Sequence, residues 1–493
     1  MTTELTKRKA AVAVLDVAAS PPSSSHHSQP PHRPPAEPSG QDSASASASA
    51  SVRALEFDVR PSCSHDPARR YLRAGSGSEA LAPTTHRSDP AASSSSRSAV
   101  ARCLSLSGLS RELQEMFLPA GYPASVSEDY LTFQCWDTIQ AMCSYLRGVL
   151  ATQSVLQSVG VGDENATPLA AALQWVLRDG SGMLGGLAFA YGVGPHFDSN
   201  VKRWRLFADV INDVGLTLDM LAPYCPAVFV TELLCVSSIC KTMCGVAAGA
   251  TRSSLMTHFA KRDNMADCAA KEGSQETAVK LAGLVVGMYF ASAVNASRAS
   301  VWVAFGLLTV LHVYANYNAV AGLSIPTLNR QRADILMRRY LQQHDKDADA
   351  GWLSIRSVNQ AEPIFRNPEL PILDVVMGAQ LCQVASTHQE LDQLLQLYRE
   401  ERYLLSVQRG RVMVVFHDGM TPRDELRAFF QAVLVLQHGI SSSAPDALPL
   451  TLLQSTHQRM TAEFEFFYQR VQANGWKTHM FLLKTTSWRV KLL

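Results

Sequence analysis

Two runs of ionisable residues stand inside otherwise apolar sequence, and they are where chemistry could happen. The first, Lys202-Arg-Trp-Arg-Leu-Phe-Ala-Asp-Val-Ile-Asn-Asp213, sets Arg205 and Asp209 four apart. On a helix Asp209, Asn212 and Asp213 then share one face. The plainer reading is a helix starting at a membrane surface, with solvated charges and one internal ion pair. The sharper reading is a polar face lining a cavity, because ionisable groups at membrane depth are costly and mark a pathway. The second run gathers Arg252, His258, Arg262, Asn264, Asp267, Lys271 and Gln275, residue types suited to holding an anion or zwitterion. His258/Arg262 and Asp267/Lys271 are four apart, so they would pair with each other. Gly273 and the Ser and Gln beside it read as a solvated loop between helices, the usual meaning of a charge run. His312, in mid-span of a long apolar stretch, is a hydrogen-bonded core residue or part of a proton path.

The absent patterns exclude several classes. There is no GxxxxGK[ST], HExxH or GxSxG, and Gly160-Val-Gly162 lacks the third glycine of a dinucleotide loop. No basic-aromatic array points to nucleic acid, and the formal net charge of +1 exerts no global pull on a polyanion. The ten cysteines form no CxxC, and Cys240 and Cys244 have no His/Cys pair at zinc spacing, so no metal or cofactor is expected.

The elements that must position these residues are apolar helices. No charge occurs from Gly180 to Phe197, from Leu281 to Ser297, or from Ala299 to Asn329. The last stretch exceeds the roughly 20 residues that cross a bilayer core. Asp209 to Thr251 is apolar but interrupted by Pro223 and Pro226, and a helix begins near Pro168. Gly182/Gly186, Gly245/Gly249 and Gly283/Gly287 are three GxxxG pairs, the spacing that lets helix backbones approach closely in lipid. The last two apolar stretches form a hairpin turning at Arg298. Lys261, Arg262, Lys271 and Lys280 flank one end and Arg330, Arg332, Arg338 and Arg339 the other, as the positive-inside rule expects.

The expected fold is therefore mainly α, with three parts. A glycine-rich transmembrane helical bundle covers about 117–341. A Ser/Ala/Pro-rich tail over 1–100 is expected to be disordered, and is read either as a plain tail or as an organelle signal; the membrane itself is not identified. A small α+β domain occupies 371–493, with helices at His388–Arg399, Asp424–Gln437 and Ala462–Ala473. It also has a hairpin of Tyr403–Val407 and Val412–Phe416 turning at Arg409-Gly410, and edge strands within Met480–Leu493.

Many short segments resemble the root UV-B sensitive family, in order and at family spacing. They include Phe117-Leu-Pro-Ala-Gly-Tyr-Pro, Trp136-Asp137, Leu150-Ala-Thr-Gln153, Val159-Gly-Val-Gly-Asp163 and Lys202 to Asp213. Gly249-Ala-Thr-Arg252, Asn264-Met-Ala-Asp267, Gly273-Ser-Gln-Glu-Thr277 and His312-Val-Tyr-Ala-Asn-Tyr317 continue the series. Asn474-Gly-Trp476 and Ser487-Trp-Arg489 are similar to the family's tail domain. The resemblance implies a membrane-associated eukaryotic protein, linked in plants to early seedling development under UV-B, vitamin B6 homeostasis and auxin transport. It supplies no catalytic residue. The chain departs from the family pattern at Gly185-Gly186, where an Arg usually follows Gly, and at Cys268, where a small residue such as Val or Ser is usual.

Three functions fit. The first is a multi-pass membrane protein, not an enzyme, that moves a small polar or anionic metabolite. Asp209, Asn212 and Asp213 would line its path, with Arg252, His258, Arg262 and Lys271 at one mouth. The second is a membrane-anchored adaptor recruiting a protein partner or a family homologue through the C-terminal domain. The third is an enzyme acting on a pyridoxal-like compound through Lys241 or Lys271.

Overall fold

The fold is given by a computed structural model, which describes residues 55–59, 69–73, 106–159, 168–343, 350–365, 375–438, 450–483 and 488–491. Within the region expected to be a disordered tail, Leu55–Val59 forms strand β1, paired antiparallel with β2 (Arg69–Arg73) so that Leu55 faces Arg73. The rest of the tail expectation, and Gly160–Gly162, lie outside the described residues.

The remaining elements form a mainly helical unit. Its helices are α1 (Leu106–Phe117), α2 (Tyr130–Ser158), α3 (Pro168–Val193), α4 (Val201–Leu221), α5 (Val230–Phe259), α6 (Met265–Val294) and α7 (Arg298–Ala321). Pro223 and Pro226 end α4, and two short 3-10 turns lead into α5. α2 and α4 form the centre. α5 packs on α4, α3 lies along α5, and α6 and α7 both lie against α2 rather than mainly against each other. The expected hairpin is present: α6 and α7 are joined across Asn295–Ser297, where the Ser297 side chain accepts from the backbone N–H of Ser300 to cap α7.

Two expectations are corrected. Gly273 lies inside α6, in no loop, because the polar residues around it bond outward to other segments and leave the helical backbone intact. The uncharged stretch to Asn329 is not all helix either. α7 stops at Ala321, and Thr327–Asn329 is strand β3, since Pro326 cannot continue a helix and Asn329 caps the next one.

The glycines explain the close packing. A Cβ on Gly182, Gly185 or Gly186 would come within 2.4–2.7 Å of Ser238, Ile239 or Thr242 of α5. One on Gly283 would meet the Tyr145 ring of α2 at 2.6 Å. Only glycine permits those crossings. Gly245 and Gly249 differ: added Cβ atoms there would touch nothing within 4 Å.

The C-terminal part begins earlier than the sequence suggests. β3 pairs parallel with β7 (Lys477–Leu482), and α8 (Arg330–Gln342) inserts Leu336, Met337 and Tyr340 into the core formed with Phe430, Phe464 and Phe467. Around that core lie α9 (Ile355–Ala361), β4 (Val375–Met377), α10 (His388–Leu397), β5 (Tyr403–Gln408), β6 (Arg411–Phe416), α11 (Pro422–Gln437) and α12 (Leu450–Ala473). The sheet order is β4-β6-β5, with the hairpin in the expected register, Tyr403 opposite Phe416. Arg409 and Gly410 have φ of 50° and 72°, the left-handed pair that a two-residue turn requires.

Candidate functional site

α2, α4, α5 and α6 diverge around a cavity of about 350 Å³, within the size range of small-ligand pockets. Gln134, Asp137, Thr138, Gln140 and Ala141 come from α2, and Arg205 from α4. Gly245, Ala248, Gly249 and Arg252 come from α5, and Glu272, Gln275, Glu276 and Val279 from α6. The third GxxxG thus serves the cavity. Its glycines leave a side-chain-free wall where a larger residue would occupy the space.

The lining is charged in both signs. Arg205 donates to Asp137 at 2.8 Å and lies 3.9 Å from Asp209, its expected i,i+4 partner. Arg252 donates to Glu272 at 3.0 Å and to Glu276 at 3.4 Å, and Lys280 pairs with Glu276 at 2.7 Å. The buried Gln134 has an amide nitrogen with no hydrogen-bond partner among the described residues.

A second cluster lies deeper on the same face of α4. The Asp213 carboxylate accepts from Arg147 of α2 at 2.5 Å and sits 3.0 Å from Nδ1 of His312 on α7. Arg147 also donates to Thr309 at 3.2 Å, and the Asn316 amide donates to the His312 carbonyl at 3.1 Å. Arg147 and His312 are 0% and 1% exposed. Asn212 donates to Ser144 of α2 at 3.4 Å.

Of the candidate residues, Arg205, Arg252 and Gln275 line the cavity; Asn212 and Asp213 bond to Ser144 and Arg147 of α2, and Asp209 lies beside Arg205 with one carboxylate oxygen buried and without a hydrogen-bond partner among the described residues. The rest are placed otherwise. His258 binds Asp129 at 2.8 Å, and Asp267 accepts from the Ala120 N–H at 2.7 Å. Lys271 donates to the Glu115 carbonyl at 2.5 Å and Gln275 to that of Phe117 at 2.6 Å. Asn264 accepts from the Arg262 N–H in the turn where Asp263 has φ 53°. These residues hold the segment entering α2 against the ends of α5 and α6. The expected His258/Arg262 and Asp267/Lys271 pairs do not form: α5 ends at Phe259, and His258, Asp267 and Lys271 each find a partner on that segment instead.

Asp137, Glu272, Glu276 and Arg147 were not among the sequence candidates. Arg147 carried a usable signal, as a cation in a helix otherwise poor in charge between Cys143 and Ser158. The others stood among neighbours that read as an ordinary amphipathic helix or a loop.

Asp129 gives the entry segment a pH dependence. Burial alone would raise its carboxyl, but His258, Ser127 and the Ser324 N–H together hold it down at about 2. A carboxyl depressed in the folded state stabilises above its unfolded value, near 3.8. That contribution disappears as pH falls from about 4 to 2. Asp129→Asn is therefore expected to lower the melting temperature at pH 6, with the gap from the parent narrowing towards pH 2. A constant gap would show that the charge is not the cause.

A model described as "Vitamin B6 photo-protection and homoeostasis domain" matches residues 105–344, and one described as "Root UVB sensitive protein, C-terminal" matches 351–492. The chain is 35% identical to Protein root UVB sensitive 3 of Arabidopsis thaliana, over 77% of this chain and 86% of the relative. It is 38% identical to RUS family member 1 of Dictyostelium discoideum, over 60% and 55% of the two chains. It is 33% identical to Protein root UVB sensitive 2, chloroplastic, of Arabidopsis thaliana, over 74% and 82%. No solved structure matches the chain.

Proposed function

The chain belongs to the root UVB sensitive family, and from that premise we propose that it is a multi-pass membrane protein of vitamin B6 homoeostasis whose helical bundle carries a small polar metabolite. The cavity between α2, α4, α5 and α6 would hold the cargo. One observation carries this reading: the bundle is polar inside and apolar outside. Arg147, Asp213 and His312 are buried, whereas Leu184, Tyr191, Met288, Leu307 and Val310 are 67–93% exposed along α3, α6 and α7. Soluble monomers seldom expose contiguous apolar faces of that extent, and a bilayer would cover them. Three helical segments among the described residues are long and apolar enough to cross it: Ala227–Phe259, Met265–Val294 and Arg298–Ala321. Retention in the pellet after alkaline carbonate extraction is the expected result; release into the supernatant would remove the bilayer from the reading.

The cavity's charge narrows the cargo. Asp137, Glu272 and Glu276 face Arg205 and Arg252, so a molecule bearing both signs, or a neutral polar one, fits better than a simple anion. Each group already has a partner, and a zwitterion can exchange with those partners without leaving a buried charge alone.

Gly245→Leu and Gly249→Leu give the direct test. An added Cβ meets nothing at either position, and Leu is a better helix former by up to about 1 kcal/mol. Each side chain should therefore fill the cavity without disturbing the fold. Uptake of labelled pyridoxine into vesicles containing the protein is expected to fall at least about tenfold, with the melting temperature unchanged. Full uptake by a folded Leu variant would overturn the proposal.

The enzyme reading loses support from geometry. Lys241 is paired with Asp219, Lys271 with the Glu115 carbonyl, and neither lines the cavity. The adaptor reading has no specific observation in its favour. Its simplest test, truncation after Pro371, would also strip the cover from Leu336, Met337 and Tyr340. A cut placed before Thr327 keeps that core together.

A further inference from the structure

The buried charges between the cavity and His312 do not balance. Along one face of α4, Arg205, Asp209 and Asp213 follow at four-residue steps, about 6 Å of helix rise each. α2 adds Asp137 and Arg147, and α7 adds His312. All six side chains are at most 18% exposed. Three carboxylates and two guanidiniums leave one negative charge unmatched when His312 is neutral.

The neighbouring groups do not supply the missing positive charge. Glu272 and Glu276 on α6 are matched by Arg252 and Lys280, and Asp219 on the far face of α4 by Lys241. From α5 the facing titratable group is the Cys244 thiol, and Ser144, Asn212, Thr309 and Asn316 are neutral. An unmatched charge in a water-poor interior is costly, and such sites usually restore neutrality by taking up a proton.

We propose that this network is a proton-binding site: its six groups hold one exchangeable proton among them, and the Asp209 carboxylate oxygen, buried without a hydrogen-bond partner among the described residues, is open to it. Because Asp137 and Arg205 also line the cavity, a positive charge entering there competes with that proton, and pH and cavity occupancy become linked. The site itself needs no cargo, so it can be tested apart from transport.

Asp213→Asn keeps the side chain's shape and removes one negative charge, which balances the network without a proton. With that proton the folded parent binds one more than the unfolded chain, so its stability should fall as pH is raised through the point where the proton leaves, followed from pH 5 to 8.5. In purified protein in detergent, the slope of melting temperature against pH over that range is expected to flatten in Asp213→Asn by the equivalent of about one proton. A variant that melts lower but keeps the parent slope would overturn the proposal, as a merely structural Asp213 would do that. Should Asp213→Asn fail to accumulate, Asp137→Asn makes the same charge change at the cavity edge and is read the same way. Loss of uptake in the Leu variants bears on the transport reading and leaves this result untouched.

Discussion

Arg147→Met is expected to destabilise the helical bundle by about 3–5 kcal/mol, the usual cost of removing one partner from a buried ion pair. Arg147 is fully buried and neutralises Asp213 at 2.5 Å, with its guanidinium also 5.8 Å from the Phe305 ring. Met fills the volume but leaves a second unmatched carboxylate in a network already one positive charge short. The effect should reverse in the double variant. Asp213→Asn in the Arg147→Met background removes the orphaned charge, and a large part of the lost stability is expected to return. The measurement is a double-mutant cycle by denaturant unfolding in mild detergent. Additive losses would mean that Arg147 acts through packing alone.

The second large effect lies where the helical bundle meets the C-terminal part. Glu362 is buried among Lys202 at 3.3 Å, Arg332 at 3.8 Å and the Asn329 amide, which donates at 2.8 Å. Lys202 also donates to the Asn359 carbonyl, and Asn329 to that of Ser199, so four segments are tied at one point. Burial, together with the nearby Arg332, brings the Lys202 ammonium down to about 8, with Glu362 working against that fall. Glu362→Ala leaves two cations facing each other without a counter-charge, at a cost of about 3–5 kcal/mol. The two parts are expected to separate first, visible as faster proteolysis between α7 and β3 under conditions where the parent is resistant. Lys202→Met in the same chain should restore part of the resistance. Unchanged proteolysis in Glu362→Ala would show that β3, β7 and the core around Tyr340 hold the junction unaided.

The sequence by itself determined the parts that depend on local chemistry. Uninterrupted apolar runs gave the later halves of α3 and α6, and α7, because a helix satisfies its own backbone whatever packs around it. Pro223 and Pro226 fixed the break between α4 and α5, and Arg409-Gly410 fixed the hairpin turn. The face shared by Asp209, Asn212 and Asp213 follows from helical period alone. The family resemblance was legible as well, since it rests on short ordered strings.

Partners across the fold were decided only by tertiary structure. Period places Asp213 on a face but cannot say that Arg147, 66 residues earlier, and His312, 99 residues later, meet it. His258 and Lys271 read as ligand-binding charges, yet their neighbours proved to be Asp129 and the Glu115 carbonyl. Three GxxxG pairs look alike in sequence; two close a helix crossing, and the third opens onto a cavity. The α8 stretch reads as a flank of the membrane block, while Leu336, Met337 and Tyr340 finish the C-terminal core. The physical reason is common to all four. A residue's type and spacing set which way it points from its own helix, whereas its electrostatic and packing environment comes from chain far away in sequence. That environment decides whether a buried charge is a strut, a wall or a proton site.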